Sequence, residues 1–368
     1  MKNLASFNKI LLPVGISFLA LLFFFYPVFF QNKIPFAGDL LISQKPWETE
    51  YALPNKAQGQ DIIRQLYLWR SLTTDQIKQG IVPLWNPYSF SGTPHLANFQ
   101  TAIFSWITPV FLLIPQINAW TIYYLSDAFL IVVFTYLLLR QWKLTQPSSI
   151  FGGLVFSYSL YFMVWRTHWN NIPQTAMFLP LILLGLERKN LLLLTISMTF
   201  SFFSGHIQTF LYIISLSFFY SLFLKRTKLL LLSGIITIML TAVQWLPTAE
   251  LSQFAPRLST SAKYIFDTSL QPIQWFATIF APDFYGNQAT RNFWFSGSYF
   301  EKASYVGVIP LFFAFLAFWR KKNINNWRIG FFITVLILSI VLSLKIPLVQ
   351  WFYSLNLPII GTAVPTRI

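Results

Sequence analysis

The stretch ILLPVGISFLALLFFFYPVFF, Ile10–Phe30, carries no charged side chain. It is long enough for a helix that crosses the hydrocarbon core of a bilayer, which takes about 20 apolar residues. Lys2 and Lys9 precede it, but the stretch is longer than the core of a signal peptide and lacks a small-x-small cleavage site. It therefore predicts a first membrane helix that is not cleaved.

The whole chain shares this composition. Of its 368 residues, 55% are hydrophobic and only 10% are charged, whereas a soluble domain carries about 25% charged residues. Because backbone exposed to lipid must satisfy its own hydrogen bonds, we predict an all-α polytopic membrane protein. The chain has no Cys, which excludes disulfides, thiolate chemistry and Cys-ligated metal sites.

Nine apolar runs could cross the membrane as one domain, 1–368, with a bundle of about nine or more transmembrane helices. The runs are residues 10–30, 118–139, 149–165, 172–187, 190–206, 207–224, 229–246, 303–319 and 328–344. Another run, 101–115, would span only about 22 Å as a helix. We expect it to be an interfacial or re-entrant segment.

Charge sets the expected orientation. The formal charge of +15 comes from Lys and Arg scattered in short turns, which indicates membrane orientation rather than nucleic-acid binding. Two long loops, 31–117 and 247–302, hold every acid except Asp127 and Glu187. Since short basic turns stay in the cytoplasm, we expect a multi-pass protein of the cell membrane with a cytoplasmic N-terminus and two extracytoplasmic loops.

The first loop holds two acids that are candidate functional residues. Asp39 follows the first helix, and Asp61 begins the amphipathic segment GQDIIRQLYLWR. The Asp61 carboxylate, at the start of this segment, could instead be a helix N-cap. Spacing alone favours the cap.

Polar and aromatic side chains that could bind substrate follow in the same loop. They are Arg64, Tyr67, Arg70, Trp85, Asn86, Tyr88, Asn98 and Gln100. The first three lie at roughly helical spacing and could hold an anionic group such as a phosphate. The next three, in PLWNPYSFSGTP, offer a stacking surface with a polar edge.

The second loop and the outer helix ends supply further candidates. Asp283 precedes an aromatic-Gly turn, and Glu301 immediately precedes the expected return helix, which it could simply cap. His168 and His206 lie at expected outer helix ends without the spacing of a zinc site. Asp127 lies within an apolar run without an evident charged partner, so we expect it to hydrogen-bond to a Ser, Tyr or Trp.

Several motifs together resemble the YfhO family of bacterial membrane proteins. They are GD at 38–39, LYLWR at 66–70, PLWNPYSFSGTPHLANFQ at 83–100, SGHIQTFLY at 204–212, QWLPTAELS at 244–252, APDFYG at 281–286 and YVGVIPL at 305–311. This family looks like a relative of the GT-C glycosyltransferases. The resemblance therefore implies a GT-C-like helical bundle that takes a sugar from a polyprenyl-phosphate carrier at the outer membrane face.

The resemblance also implies roles for single residues. Asp61, with Tyr67, matches the superfamily's first-loop catalytic acid, and Asp39 is the second choice. Asp283 and Glu301 match a later external motif that would contact the acceptor or a divalent cation, Mg²⁺ or Mn²⁺. Three basic residues could hold the carrier phosphate: Arg64, Arg70 or Arg257.

The implied partners are the lipid bilayer, the polyprenyl-phosphate sugar donor and an acceptor in the cell envelope, which is a glycopolymer, a lipid or a protein. Members of the family are longer, so the chain resembles an N-terminal fragment.

Two alternatives to a glycosyltransferase stay open. One is a lipid or polymer transporter, although transporters usually bind substrate at mid-membrane on broken helices. The other is a non-enzymatic subunit of an envelope polysaccharide or lipid assembly system.

Overall fold

The computed structural model describes residues 2–48, 59–254, 266, 269–295, 297–319, 327–355 and 366. Most of these residues are helical, which confirms the all-α prediction. The helices are α1 (Lys2–Phe24), α2 (Tyr26–Phe30), α3 (Tyr67–Lys78), α4 (Thr108–Leu113), α5 (Gln116–Gln141), α6 (Gln146–Ser157), α7 (Leu160–His168), α8 (Asn171–Ala176), α9 (Leu179–Arg188), α10 (Leu191–Phe203), α11 (Ile207–Phe223), α12 (Thr227–Leu240), α13 (Ala242–Ser252), α14 (Pro272–Phe280), α15 (Val308–Trp319), α16 (Trp327–Ser343) and α17 (Pro347–Ser354). A short antiparallel hairpin joins β1 (Trp85–Asn86) to β2 (Thr93–Pro94).

Every predicted apolar run contains helix, but several runs are divided. By length and composition, α5 is the one described helix that could cross a membrane alone. The pairs α6 with α7, bent by 43°, and α12 with α13, bent by 76°, reach the needed length only as broken spans. Shorter apolar helices make up most of the remaining runs. At the break after α12, the Ile238 carbonyl accepts the Trp245 indole N–H at 2.9 Å.

Glu187 joins four helices at the end of the bundle that carries the basic turns. Its Oε1 accepts hydrogen bonds from Trp142 Nε1 and Arg328 Nε, each at 2.9 Å, and from the Tyr220 hydroxyl. These residues lie at or near the ends of α5, α9 and α11 and the start of α16. We call this the basic end. The described parts of the two long loops pack near the start of α5 and the end of α7, at the opposite end, which we call the loop end.

Asp127 forms a buried ion pair between helices. Gly153 allows α6 to pack closely on α5, because a Cβ there would lie 2.7 Å from the Val132 carbonyl oxygen. Arg166 on α7 then reaches α5, where its Nε lies 2.6 Å from Asp127 Oδ2, and both side chains are fully buried. The expected Ser, Tyr or Trp partner for Asp127 is therefore wrong. Spacing along the sequence could not reveal a cation that only the fold brings into contact.

The run at 101–115 packs into the core of the first loop. Only α4 is a helix in this run, and its 6 residues would span about 9 Å. Ile103, Ile107 and Phe111 are at most 4% exposed, and the latter two pack in a cluster with Trp120. These apolar residues fix the first loop on the start of α5, and the interfacial or re-entrant placement of the run stays a prediction.

Candidate functional site

Asp61 lies where the chain enters the first-loop helix. A π-helical turn, Ile62–Leu66, leads into α3, and the buried side chains at both ends of this turn hold it on the loop core. Gly59 precedes it with φ of +105°, and a Cβ there would lie 3.3 Å from the Thr167 carbonyl oxygen. The Asp61 side chain makes no capping hydrogen bond. The N-cap explanation for Asp61 is therefore wrong.

Asp61 and His168 are brought together by the fold. Oδ2 of Asp61 lies 3.8 Å from Nε2 of His168 at the end of α7, and Gln65 Nε2 lies 3.5 Å from Oδ1. The His168 ring also stacks on Phe300 of the second loop, with ring centroids 3.8 Å apart. Both long loops therefore meet at one His, beside a carboxylate.

Partial burial changes the acidity of Asp61. The side chain is 39% exposed, and the loss of solvation raises the pKa of its carboxyl above the ordinary value, while the charge of Arg64 opposes the shift. A carboxylate with a raised pKa takes up a proton more readily. The direction of the shift thus suits a general base.

Asp39 and Glu301 lie on segments close to this pair. Asp39 is in a 3₁₀ helix, Gly38–Ser43, that packs on the π-helical turn. Glu301 adjoins Phe300 in a 3₁₀ turn. The return helix α15 begins only at Val308, so Glu301 does not cap it. The position expected for the start of that helix is wrong, because the 3₁₀ turn and an irregular segment come first.

Arg70 belongs to the core rather than to a phosphate-binding face. The π-helical turn shifts the helical phase, so Arg64 is exposed whereas Arg70 is 3% exposed. Nη1 of Arg70 donates to the Ala102 carbonyl oxygen at 2.9 Å and to Thr108 Oγ1 at 3.0 Å. Tyr67 is half-buried with its ring among aromatic side chains. The predicted three-residue face is therefore wrong, and Arg64 is its exposed cation.

The motif PLWNPYSFSGTP forms the β1–β2 hairpin. Trp85 and Tyr88 are 50% and 85% exposed, so both rings are open to a ligand. Asn86 is buried, and its Oδ1 accepts the Tyr88 backbone N–H at 2.9 Å. The aromatic part of the predicted surface is present, but the Asn86 amide closes the turn instead of forming a polar edge.

Asn171 joins the first loop to the bundle by hydrogen bonds, a role that no sequence motif indicated. Its Nδ2 donates to the Gln100 carbonyl oxygen at 2.8 Å, and its Oδ1 accepts from the Tyr123 hydroxyl at 2.6 Å. Asn98 caps the adjoining 3₁₀ turn by accepting the Gln100 N–H at 3.2 Å. Gly205, with φ of +88°, leaves room for this contact, since a Cβ would lie 2.8 Å from Asn171 Nδ2. The sequence signal that could have indicated this role is the position of Asn171, a polar residue between the apolar runs 149–165 and 172–187.

Two other predicted ligand residues make local contacts. His206 caps α11, because its Nδ1 accepts the Thr209 N–H at 3.2 Å. Asp283 accepts hydrogen bonds from the Tyr299 hydroxyl at 2.6 Å and from Asn287 Nδ2 at 3.1 Å. These contacts tie each side chain to its own segment. Arg257, the third predicted phosphate ligand, lies outside the described residues.

His95 gives the first loop a testable pH dependence. It is 1% exposed, and its Nε2 lies 2.8 Å from Thr73 Oγ1. Loss of solvation lowers the pKa of His95 to about 4. The pKa of His in an unfolded chain is about 6.5. Between about pH 4 and this value the unfolded state therefore binds more protons than the folded state. Stability should be complete above about pH 6.5 and should fall as the pH drops toward 4.

The measurement is the thermal unfolding temperature of the purified chain in detergent at pH 7.5 and at pH 5. His95→Gln keeps a group that can bond to Thr73 but does not titrate. We expect the difference between the two unfolding temperatures to be smaller in this variant. An equal difference in both proteins would contradict the prediction.

The acids of the site were also tested as metal ligands. Within the described parts of the chain, no three His, Asp or Glu side chains converge to hold a metal ion. Asp283 instead bonds to Tyr299 and Asn287. The Mg²⁺ or Mn²⁺ contact expected at Asp283 and Glu301 stays a prediction, and no step of the reaction proposed below uses a metal ion.

Known protein families, characterised proteins and solved structures give no match to the chain. Function is therefore inferred from the contacts of Asp61 and from the sequence motifs.

Proposed function

We propose that the chain is a polytopic protein of the bacterial cell membrane that transfers a sugar from a polyprenyl-phosphate-linked donor to an extracytoplasmic acceptor. One observation carries the proposal: a half-buried carboxylate, Asp61, lies 3.8 Å from His168 at the loop end of an apolar bundle. The headgroup of a lipid-linked donor would lie at this level of the membrane. The motifs that resemble those of the YfhO family are consistent with the same chemistry.

In the proposed reaction, Asp61 is the general base. Its carboxylate takes the proton of the acceptor hydroxyl while the hydroxyl oxygen forms a bond to the anomeric carbon of the sugar. The bond between that carbon and the phosphate oxygen breaks, and polyprenyl phosphate leaves with the bonding electron pair. A single displacement inverts the configuration of the sugar. His168 positions the Asp61 carboxylate.

The exposed side chains near Asp61 have complementary roles. Arg64 follows three residues later and is exposed, so it can bind the carrier phosphate by charge-assisted hydrogen bonds. Trp85 and Tyr88 present open rings on which a sugar face can stack. The polyprenyl chain would lie along the apolar helices.

Transport of the lipid carrier is the second candidate. Its support is the buried pair of Asp127 and Arg166. Ionisable residues inside a membrane bundle mark functional sites by default. Arg166 also lies on α7, which together with α6 reaches membrane-spanning length only as a bent pair, and transporters bind substrate on such broken helices. Transport would require the pair to separate during the reaction cycle, whereas sugar transfer at Asp61 would not.

Reconstituted vesicles separate these functions. The purified chain is supplied with a panel of undecaprenyl-phosphate donors that carry a radiolabelled hexose, and with cell-envelope extract as acceptor. We expect label to move from the carrier to a product only when the protein is present. Label that crosses the bilayer while still on the carrier would favour transport. Retention of label on the carrier without any movement, together with co-purification of an envelope partner, would favour an assembly subunit.

A further inference from the structure

Helix α14 turns its polar side chains inward and its apolar side chains outward. Gln274 and Thr278 are buried, and Gln274 Oε1 accepts a hydrogen bond from Lys302 Nζ at 2.8 Å. Ile273, Phe276 and Phe280 are 58–64% exposed on the outer face. A helix that faced water would have the opposite arrangement.

Helix α17 repeats the outward apolar face. Leu348, Trp351 and Leu355 are exposed at positions three and four residues apart, whereas Val349 and Tyr353 are buried against the bundle. Residues at this spacing lie on one side of a helix. The chain thus exposes two short helical faces that carry large apolar side chains.

Both helices start from one point at the loop end. Leu270 and Leu344 form a β-bridge, in which Leu270 N–H donates to the Ser343 carbonyl oxygen and Lys345 N–H donates to the Leu270 carbonyl oxygen, each at 2.8 Å. Arg328 places the start of α16 at the basic end, so the bridge lies at the other end of that helix. Helix α16 also exposes large apolar side chains, Leu336, Ile337 and Leu338. The bridge therefore brings the starts of α14 and α17 next to the loop end of an apolar helix.

We propose that α14 and α17 form a collar that lies in the outer interface of the bilayer, with their outward apolar side chains among the lipid acyl chains. The occupant of these faces is lipid, because both helices start at the loop end of α16, which also exposes large apolar side chains. An amphipathic helix in the plane of the interface buries one apolar face at the acyl-chain boundary, and Trp, as at position 351, is enriched there. The collar rests on the membrane placement proposed above, and it does not depend on the catalytic role of Asp61.

The absence of Cys makes single-Cys labelling direct. Phe276→Cys and Trp351→Cys probe the collar, Ile337→Cys probes the side of α16, and Ala289→Cys probes an exposed position of the second loop. Each variant is placed in lipid nanodiscs, which leave both membrane faces accessible, and is treated with a charged maleimide. The rate is normalised to labelling in SDS. We expect the collar and α16 variants to react at least about tenfold more slowly than Ala289→Cys, because a charged reagent partitions poorly into hydrocarbon.

A second readout identifies what covers the collar. The same Cys variants are labelled with bimane and quenched by lipids that carry a nitroxide at carbon 5 or at carbon 16 of the acyl chain. We expect stronger quenching by the shallow nitroxide at Phe276→Cys and Trp351→Cys.

Three results would overturn the collar. Rapid aqueous labelling of Phe276→Cys and Trp351→Cys with protected Ile337→Cys would reject the collar but keep the membrane placement. Rapid labelling of all three would reject the placement itself. Slow labelling without quenching by either lipid would show that protein covers the two helices, either a second copy or another segment of the chain.

Discussion

Replacement of Asp61 by Asn should lower the rate of sugar transfer by about 10²- to 10⁴-fold, the usual contribution of a general base. Asn has nearly the same size and keeps an oxygen near His168, but it cannot take up the proton of the acceptor hydroxyl. Asp61 makes no capping hydrogen bond, so the fold should not depend on its charge. The measurement is the initial rate of hexose transfer in reconstituted vesicles at saturating donor, with an unchanged thermal unfolding temperature as the check on folding.

Asp39→Asn is the matched control, because it makes the same change at the neighbouring candidate acid. We expect this variant to keep most of the transfer activity. The reverse pattern would assign the base to Asp39. Full activity in both variants would remove both acids from the chemistry and leave the glycosyltransferase proposal without its base.

His168→Gln tests the positioning role within the same assay. A charged imidazole 3.8 Å from the carboxylate would stabilise the ionised form of Asp61. Its removal should move the acidic limb of the pH–rate profile to higher pH. A residue that only supported the fold would lower the rate without moving this limb.

The sequence predicted the helices better than their breaks. Apolar composition located the helices from α5 to α12 because a buried or lipid-facing segment needs such residues whatever its partners are. The 76° bend after α12 depends on contacts such as the one between Trp245 and the Ile238 carbonyl, and no local signal revealed it. In the 101–115 run, likewise, length and hydropathy did not reveal that Ile107 and Phe111 pack against Trp120.

The candidate site was predictable residue by residue but not as an arrangement. Asp61 was identified at the start of an amphipathic segment and His168 at an outer helix end, while their contact depends on the packing of α7 beside the first loop. The interpretation of Arg70 failed because an ideal helical spacing was assumed across a segment that contains a π-helical turn. Asn86 was assigned to a ligand although Asn commonly closes turns, as it does here.

Breaking the ion pair between Asp127 and Arg166 should have the largest effect on stability. Asp127→Asn or Arg166→Gln alone should destabilise the chain by about 3–5 kcal/mol, because each leaves one buried charge without its partner. The double variant removes both charges and keeps amide groups that can bond to each other. It should be more stable than either single variant. Arg64→Gln, at an exposed position, is the control and should change stability by no more than about 0.5 kcal/mol.

The measurement is a double-mutant cycle from unfolding by SDS in mixed micelles, followed by the loss of tertiary fluorescence. If the two single effects add to within about 0.5 kcal/mol, the residues do not interact energetically, and the pair would have no stabilising role.

The same variants also distinguish sugar transfer from transport of the lipid carrier. A folded double variant that still transfers sugar would make the pair structural. A folded double variant that loses carrier movement across the bilayer would instead place the pair on a transport path, because a path through the bundle needs its ionisable groups and not merely their shape.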